Sequence, residues 1–196
     1  MTLWEKNIPV IILAGGFGTR LRSVVDSVPK PMAPVNGRPF LEYQLEHLER
    51  QGVRSVVLAV GHMANVIENH FGDRWRSIDI SYSHEKNALG TGGSLIKACK
   101  RLPKKTLAFA MNGDTYFPIS FQKMHCTHTL RAASVSIAVF KSKEEKRYSS
   151  FEADEHGKIL GLTHSNLAFK SAGIYLFSVE VVDVLKSMKI EKISFE

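Results

Sequence analysis

The sequence is poor in cysteine and has no long apolar stretch. Its 196 residues include two cysteines, Cys99 and Cys126, too few for the disulfide framework of a small secreted protein. No apolar run reaches the roughly 18 residues that a transmembrane helix needs. The first residues also lack the charged-then-apolar order of a signal peptide. We therefore expect a cytoplasmic protein with no membrane partner.

A compact block of charge of one sign is missing too. Lys and Arg exceed Asp and Glu by 26 to 19, a formal net charge of +7, which favours anionic ligands. The densest basic cluster, residues 141–147, contains two acids and no interleaved aromatics, which is more typical of a solvated loop than of a nucleic-acid surface. We expect small phosphorylated ligands and no nucleic acid.

Metal-binding clusters and nucleophile constellations are scarce as well. His125, Cys126 and His128 lie close together in sequence. Tetrahedral zinc usually needs a second pair of ligands, and no nearby Cys-x-x-Cys or paired histidines supply one. No Ser-His-Asp or Cys-His arrangement indicates nucleophilic catalysis. Zinc is therefore disfavoured, and the chemistry has to come from another part of the chain.

The most informative stretch is residues 10–32. The apolar run of residues 10–14 predicts a strand buried on both faces, and it leads directly into Gly15, Gly16 and Gly18. Three glycines within four residues allow positive φ, so that successive backbone N–H groups can converge on an anion. The spacing fits neither the dinucleotide-binding G-x-G-x-x-G fingerprint nor a P-loop, since no Gly-Lys-Ser/Thr follows.

Strand and helix patterns alternate after this loop. A buried stripe of Leu41, Leu45 and Leu48 predicts a helix that begins at Pro39. Residues 53–60 predict the second strand, and its apolar run at residues 56–60 indicates that this strand too is buried on both faces. The alternation indicates an α/β fold with helices packed on a sheet.

Two further features follow later strands. Residues 88–94, a second glycine-rich segment at the start of a helix, would turn another set of backbone N–H groups toward the same end of the sheet. Asn112, Gly113 and Asp114 follow the buried strand of residues 106–111. Ligands of open α/β sheets bind outside the carboxyl ends of strands, so Asp114 should face the same cavity as the first glycine loop. Such a site suits phosphoryl transfer, in which positioning and charge neutralisation do most of the catalysis.

The first stretch resembles the signature of the sugar-1-phosphate nucleotidyltransferases, also called sugar nucleotide pyrophosphorylases. The alternative is a plain glycine-rich turn in which Arg20 and Lys30 are merely solvated. The match is long and position-specific, and it outweighs that alternative. It comprises Leu13-Ala14-Gly15-Gly16-x-Gly18-Thr19-Arg20-Leu21 followed by Lys30-Pro31-Met32.

The resemblance implies a fold and a domain organisation. The expected fold is a Rossmann-like three-layer αβα arrangement with a mostly parallel central sheet, and a small β-rich lid on the sugar side. Residues 148–162, whose pattern predicts a β-hairpin, are the candidate for that lid. Residues 1–196 are expected to form a single nucleotidyltransferase domain. Compared with the family, the sequence lacks a C-terminal strand and helix, and with them a second metal-binding Asp.

The resemblance also implies residue roles. In this family a sugar 1-phosphate attacks the α-phosphorus of a nucleoside triphosphate and releases pyrophosphate. By that likeness Arg20 neutralises the departing pyrophosphate, Lys30 bridges toward the reacting phosphates, and Asp114 is the first ligand of a Mg²⁺ cofactor. The expected nucleotide contacts are Leu13, Ala14, Gly15, Gly16, Gly18, Thr19, Glu85, Gly90, Thr91 and Asn112. The expected sugar contacts are Gly113, Ser171 and Gly173.

The resemblance also narrows the choice of nucleotide base and of sugar substrate. Glu85-x-x-x-Leu89-Gly90-Thr91-Gly92-Gly93 together with Asn112-Gly113-Asp114 looks most like the D-glycero-D-manno-heptose 1-phosphate guanylyltransferases, with mannose-, glucose- and N-acetylmuramate-1-phosphate enzymes as alternatives. Glu85 can accept hydrogen bonds from the ring N–H and amino group of guanine, which favours GTP; the alternative is a solvated loop glutamate.

Two departures from the family pattern concern the recognition of the sugar. Residues 162–165 lack the family's Glu-Lys pair, and Ser171 stands where the family has Asn.

Several functions stay open on the sequence. The first is a guanylyltransferase that makes a nucleotide-activated heptose for surface polysaccharide. The second is a catalytically weak sugar-nucleotide-binding or regulatory subunit, because the second metal-binding Asp is missing. The third is a glycosyltransferase, which would usually show an Asp-x-Asp metal-binding pair. Because Asp114 stands alone between Gly113 and Thr115, we rank this hypothesis last. The expected partners are a nucleoside triphosphate, with GTP favoured, and a sugar 1-phosphate; homo-oligomerisation stays open.

Overall fold

A computed structural model describes residues 7–16, 28–142, 150–163 and 169–194. None of the helices in these ranges is long and apolar enough to cross a bilayer. The strands are β1 (Val10–Leu13), β2 (Pro34–Val35), β3 (Arg38–Pro39), β4 (Ser55–Val60), β5 (Arg74–Trp75), β6 (Ile78–His84), β7 (Ala108–Asn112), β8 (Val135–Lys141), β9 (Ser150–Ala153), β10 (Ile159–Leu162) and β11 (Phe169–Phe177). The helices are α1 (Phe40–Arg50), α2 (Ala64–Phe71), α3 (Gly90–Cys99), α4 (Phe121–Leu130) and α5 (Val179–Ser187), with a 3-10 turn at Lys30–Met32.

Within these ranges the strands form a mixed central sheet in the order β10-β9-β11-β7-β1-β4-β6-β5. Strand β8 belongs to the same sheet and also pairs with β11. Strands β7, β1, β4 and β6 run parallel, and β11 joins β7 in the antiparallel direction. The register places Leu13 beside Ala59 on one side and Asn112 on the other. The predicted α/β class is confirmed, with a sheet that is mixed and partly parallel.

Apolar cores cover both faces of the sheet, because successive residues of a strand point to opposite sides. Val10 and Ile12 face the core that α1, α2 and α4 complete. Ile11 faces the core that α3 and α5 complete, which includes Leu95 and Val182. Residues 10–12 have no exposed surface. The prediction that the first strand is buried on both faces is therefore confirmed, and the layers are helix, sheet and helix.

Helix α1 buries the stripe that its sequence predicts. Leu41, Leu45 and Leu48 are fully buried, and Pro39 is the residue that precedes the first helical turn. Gln44 lies on the same side of the helix and is only 1% exposed. A polar side chain therefore occupies an interior position among leucines, which requires hydrogen-bond partners.

The predicted hairpin forms from β9 and β10, which pair in the antiparallel direction. Asp154 organises its turn, because Asp154 Oδ1 accepts hydrogen bonds from His156 N at 2.9 Å and Lys158 N at 2.8 Å. Strand β9 in turn pairs with β11 through Ser150 and Lys170. The expected sugar-side lid is therefore an extension of the central sheet.

Two histidines of α4 are buried where this helix packs on β8. His128 is 3% exposed, and its Nδ1 lies 2.8 Å from Ser136 Oγ. Its Nε2 has no hydrogen-bond partner among the residues that the structure describes. Burial lowers the pKa of His128, the nearby His125 lowers it further, and Glu180 opposes the shift.

This burial makes stability depend on pH. The pKa of His128 is lower in the folded state than the roughly 6.5 of an unfolded chain, so folding is favoured when the imidazole is neutral. The free energy of unfolding should be highest above about pH 7 and should fall as the pH decreases through about 6.5. Denaturant titrations at about pH 7.5 and pH 5.5 measure the loss. The His128→Asn variant cannot gain a proton at this position, so its free energy of unfolding should fall less between the two pH values than that of the wild type. Equal decreases in the two proteins would contradict this role of His128.

Candidate functional site

The carboxyl ends of the parallel strands meet at one edge of the sheet. Ala14, directly after β1, donates its N–H to Ala59 O of β4 at 2.8 Å. Gly113, directly after β7, donates its N–H to Leu13 O at 3.0 Å. These bonds hold the start of the first glycine loop beside the segment that carries Asp114. We call this edge of the sheet, where the strand order predicts that a ligand binds, the crevice.

The first glycine loop begins at a point of close packing. A Cβ on Gly15 would lie 2.9 Å from Glu85 Oε1, and a Cβ on Gly61 would lie 3.0 Å from Gly15 O. A side chain at Gly15 would have to displace the Glu85 carboxylate, and one at Gly61 would crowd the backbone of Gly15. Gly16 is exposed, and among the described residues no atom beyond its chain neighbours lies within 4 Å of its Cβ position. The predicted contacts Gly18, Thr19 and Arg20 lie outside the described residues.

Glu85 uses only part of its hydrogen-bonding capacity. It follows β6 directly, and its N–H donates to Val60 O at 2.7 Å. Its Oε2 accepts a hydrogen bond from Leu89 N at 3.3 Å. Its Oε1 is buried, lies against Gly15, and has no partner among residues 7–16, 28–142, 150–163 and 169–194. A buried carboxylate oxygen without a donor is costly, which makes Glu85 Oε1 a candidate hydrogen-bond acceptor for a ligand.

The structure brings the predicted catalytic groups Lys30 and Asp114 together. Lys30 Nζ forms an ion pair with Asp114 Oδ2 across 84 residues of sequence. Lys30 is fixed at its base because Pro31 and Met32, the next residues of the 3-10 turn, are buried. The side chains of the pair remain 31% and 40% exposed. Both charged groups can therefore reach a ligand in the crevice.

Helix α1 supplies a residue that the sequence analysis missed. The Nε2 of Gln44 donates hydrogen bonds to Asn112 O at 2.9 Å and to Thr115 O at 2.7 Å. These two carbonyls flank Asp114 in sequence. The available signal was a polar residue on the buried side of α1, next to Leu45.

The predicted sugar contacts lie where β11 meets β7. Gly173 has a φ of +68°, and a Cβ there would lie 2.7 Å from Asn112 Nδ2. Ser171 is 4% exposed, and its Oγ accepts from Gly173 N at 3.1 Å and lies 3.0 Å from Tyr175 OH. A Cβ on Gly113 would lie 2.7 Å from a backbone oxygen of β1. Gly113 and Gly173 therefore flank Asn112, and the Ser171 hydroxyl holds the bend of β11.

The second glycine-rich segment is used differently from our expectation. It forms the first turn of α3, and the N–H groups of Gly92 and Gly93 donate to Ile193 O at 2.9 and 3.2 Å. Gly90 has a φ of +71°, and a Cβ there would lie 2.6 Å from Ile193 O. Thr91, the other nucleotide contact predicted here, is half-buried. The expected anion-binding N–H groups are thus partly occupied, because the start of a helix can be satisfied by any nearby acceptor.

The donor set can be tested against a divalent metal. Within the ranges that the structure describes, no group of three or more His, Cys, Asp or Glu side chains could hold a metal ion. Asp114 nevertheless presents an exposed carboxylate at the crevice. Mg²⁺ is often bound through one or two carboxylates together with substrate phosphates and waters. The residues therefore fit a Mg²⁺ ion that binds together with a phosphorylated substrate.

Known proteins resemble the chain over almost its whole length. A family model described as nucleotidyl transferase matches residues 9–194. A D-glycero-alpha-D-manno-heptose 1-phosphate guanylyltransferase of Campylobacter jejuni is 37% identical over 191 residues, which cover 95% of this chain and 82% of that protein. A mannose-1-phosphate guanylyltransferase catalytic subunit beta of Xenopus tropicalis is 36% identical over 193 residues, 93% of this chain and 53% of that protein.

A solved structure shares the fold. The crystal structure of HddC from Yersinia pseudotuberculosis complexed with GMP-PN superposes with a TM-score of 0.80 at 29% sequence identity. The match covers 96% of this chain and 83% of that one. The chain therefore shares its fold with a protein that was crystallised in complex with GMP-PN.

Proposed function

Because the chain belongs to the nucleotidyl transferase family, we propose that it transfers GMP from GTP to a sugar 1-phosphate, preferentially D-glycero-α-D-manno-heptose 1-phosphate. The products are a GDP-sugar and pyrophosphate, and the reaction takes place in the cytoplasm. The observation that carries the choice of base is the buried Glu85 Oε1 beside Gly15. The names of the similar proteins from Campylobacter jejuni and Yersinia pseudotuberculosis support the base and the heptose.

Guanine suits Glu85 for a chemical reason. Its ring N–H and its exocyclic amino group point in the same direction, so one carboxylate can accept both hydrogen bonds. Uracil and thymine present a single N–H between two carbonyl oxygens, which a carboxylate repels. Such bonds to an ionised acceptor are stronger than neutral ones. Glu85 therefore favours GTP over UTP and dTTP at this position.

Lys30 and Asp114 act on the phosphates in this proposal. An oxygen of the sugar 1-phosphate attacks the α-phosphorus of GTP; the new P–O bond forms while the bond to the bridging oxygen of pyrophosphate breaks. Lys30 lies beside Asp114 at the crevice and offsets the negative charge that builds up on the phosphoryl oxygens. Asp114 would hold a Mg²⁺ ion that binds together with the triphosphate, and this ion would supply further charge neutralisation. We assign Arg20 to the departing pyrophosphate.

The loops that follow β1 and β7 line the proposed substrate site. Leu13, Ala14, Gly15 and Gly16 lie where β1 opens into the crevice, and we propose that the triphosphate contacts the backbone there. Gly113 and Gly173 flank Asn112 and allow the close packing around it, and we place the sugar 1-phosphate on that side. Ser171 contributes by holding the bend of β11. Gly90, Thr91 and Asn112 are proposed to contact the nucleoside.

Mannose 1-phosphate is the second candidate substrate. The Xenopus tropicalis mannose enzyme is 36% identical to this chain, and the Campylobacter jejuni heptose enzyme is 37% identical. The heptose is mannose extended by one carbon that carries a hydroxyl group. A pocket that accommodates this extension should prefer the heptose, and one extra group of this size is worth about 1–3 kcal/mol in a fitted site.

A substrate panel tests the proposal. Pyrophosphate release is measured with GTP, UTP, CTP and dTTP, each combined with heptose, mannose or glucose 1-phosphate and Mg²⁺. We expect the highest kcat/KM for GTP with the heptose, by about tenfold over mannose 1-phosphate. Faster turnover of mannose 1-phosphate than of the heptose would make mannose 1-phosphate the preferred substrate. Equal turnover of UTP and GTP would contradict the recognition of guanine. Binding of Mg-GTP without any turnover would instead support the binding-subunit alternative.

A further inference from the structure

Helix α1 is hydrogen bonded to both ends of residues 112–121, which we call the Asp114 segment. At the near end, Gln44 Nε2 donates to Asn112 O at 2.9 Å and to Thr115 O at 2.7 Å. One amide group therefore bridges two carbonyls that lie on either side of Asp114. The bridge fixes the width of the turn from which the carboxylate projects.

At the far end, Gln51 makes the corresponding contacts. Its Nε2 donates to Ile119 O at 2.6 Å, and its Oε1 accepts from Phe121 N at 2.9 Å. His47 lies between the two glutamines on the helix, and its ring centroid is 5.5 Å from that of Tyr116. Gln44, His47 and Gln51 thus form a row along the Asp114 segment, with one glutamine beside Asp114 and the other near the start of α4.

The burial of Gln44 indicates that its amide has a specific purpose. Gln44 is 1% exposed and lies among Leu41, Leu45 and Leu48. A Leu or Met of similar volume would pack at this position without the cost of burying an amide. The amide therefore contributes through its two hydrogen bonds, which act on the turn around Asp114 and not on the core.

We propose that Gln44 is a positioning residue for catalysis. By bridging Asn112 O and Thr115 O, it sets where the Asp114 carboxylate stands relative to Lys30 and to the phosphates of the substrate. Reactions that depend on orientation are sensitive to displacements of about 1 Å, which can cost on the order of 10²-fold in rate. This role rests on the proposed function, since it acts through Asp114.

The test compares two matched substitutions, one within α1 and one at Gln51, the residue that directly follows this helix. Gln44→Met and Gln51→Met each replace a buried or half-buried glutamine by an unbranched side chain of similar length. Gln44→Met should lower kcat by roughly 10- to 100-fold, leave KM for GTP within about twofold, and raise the Mg²⁺ concentration needed for half-maximal rate. Gln51→Met, which loosens only the far end, should keep kcat within about twofold of wild type.

Further measurements separate positioning from folding. If both variants lose kcat in proportion to their loss of Tm, Gln44 is merely structural and the proposal is overturned. Wild-type kcat and Mg²⁺ dependence in Gln44→Met overturn it as well. If Gln44→Met does not fold, Gln44→Asn keeps the amide on a shorter stem, and it should show a smaller kcat loss with normal KM for GTP; unchanged kcat in this variant would overturn the proposal.

One readout does not depend on activity. Hydrogen exchange of the backbone amides at residues 113–116 should be faster in Gln44→Met than in the wild type and in Gln51→Met, because only the first variant frees this turn. Unchanged exchange overturns the proposal. An inactive wild type with this exchange pattern would contradict the proposed function while still supporting the structural bridge.

Discussion

Asp114→Asn should turn over GTP and sugar 1-phosphate at least about 10²-fold more slowly than the wild type, in line with the loss of one electrostatic group from a reaction centre. Its Tm should change by no more than about 3 °C. The reason for this contrast is exposure. The Lys30–Asp114 ion pair is 31% and 40% exposed, and such pairs contribute little to stability. Initial rates of pyrophosphate release and thermal unfolding measure the two effects.

Asp79→Asn is the matched control. Asp79 is also an exposed aspartate in an ion pair, with Arg74 Nε at 2.9 Å from its Oδ1, and it lies near the start of β6, away from the crevice. The same change of charge there should leave kcat near that of the wild type. Near-normal turnover in Asp114→Asn would remove Asp114 from the reaction, and an equal loss in Asp79→Asn would indicate a general effect of charge.

Glu85→Gln should weaken GTP binding by on the order of 10²-fold. A carboxylate accepts both donors of the guanine edge, whereas an amide offers one oxygen and places an N–H₂ group against the second donor. Losing a hydrogen bond to a charged group costs about 1.5–3 kcal/mol, and each 1.4 kcal/mol is about tenfold in affinity. Calorimetric titration with Mg-GTP measures the loss. Binding of Mg-UTP, which lacks this pair of donors, should change much less.

Glu68→Gln is the control for the loss of a negative charge near the carboxyl end of β6. Glu68 Oε1 lies 2.7 Å from Nε2 of His84, the residue before Glu85, and Glu68 belongs to α2 on the surface of the sheet. Removing this carboxylate should leave GTP affinity within about twofold, because a surface ion pair is worth about 1 kcal/mol or less. An unchanged affinity in Glu85→Gln would show that this carboxylate does not recognise the base.

Local periodicity predicted much of the fold. The buried run of β1, the leucine stripe of α1 and the hairpin of β9 and β10 all follow from patterns within about ten residues, where side-chain direction is set by the element itself. The position of Asp114 also followed, because a buried strand delivers the residues after it to a known edge of the sheet. These inferences needed no knowledge of distant contacts.

The remaining features depend on contacts between residues far apart in sequence. Gly92 and Gly93 looked like a second anion-binding loop, but their N–H groups are paired with Ile193 O, about one hundred residues later. The two carbonyls that Gln44 binds lie 68 and 71 residues away. Ser171 is buried opposite Val139 of β8, its partner across the sheet. Spacing along the chain carries no information about such pairings, which form only when the layers pack.

The central claim is that the guanine edge meets Glu85 while the phosphates meet Lys30 and Asp114. A crystal structure with Mg²⁺ and a non-hydrolysable GTP analogue tests it most directly. We expect the Glu85 carboxylate oxygens to lie about 2.7–3.1 Å from the ring nitrogen and the amino nitrogen of guanine, with Lys30 Nζ at hydrogen-bond distance from the phosphates. A guanine bound elsewhere, with Glu85 more than about 4 Å from it, would contradict this claim.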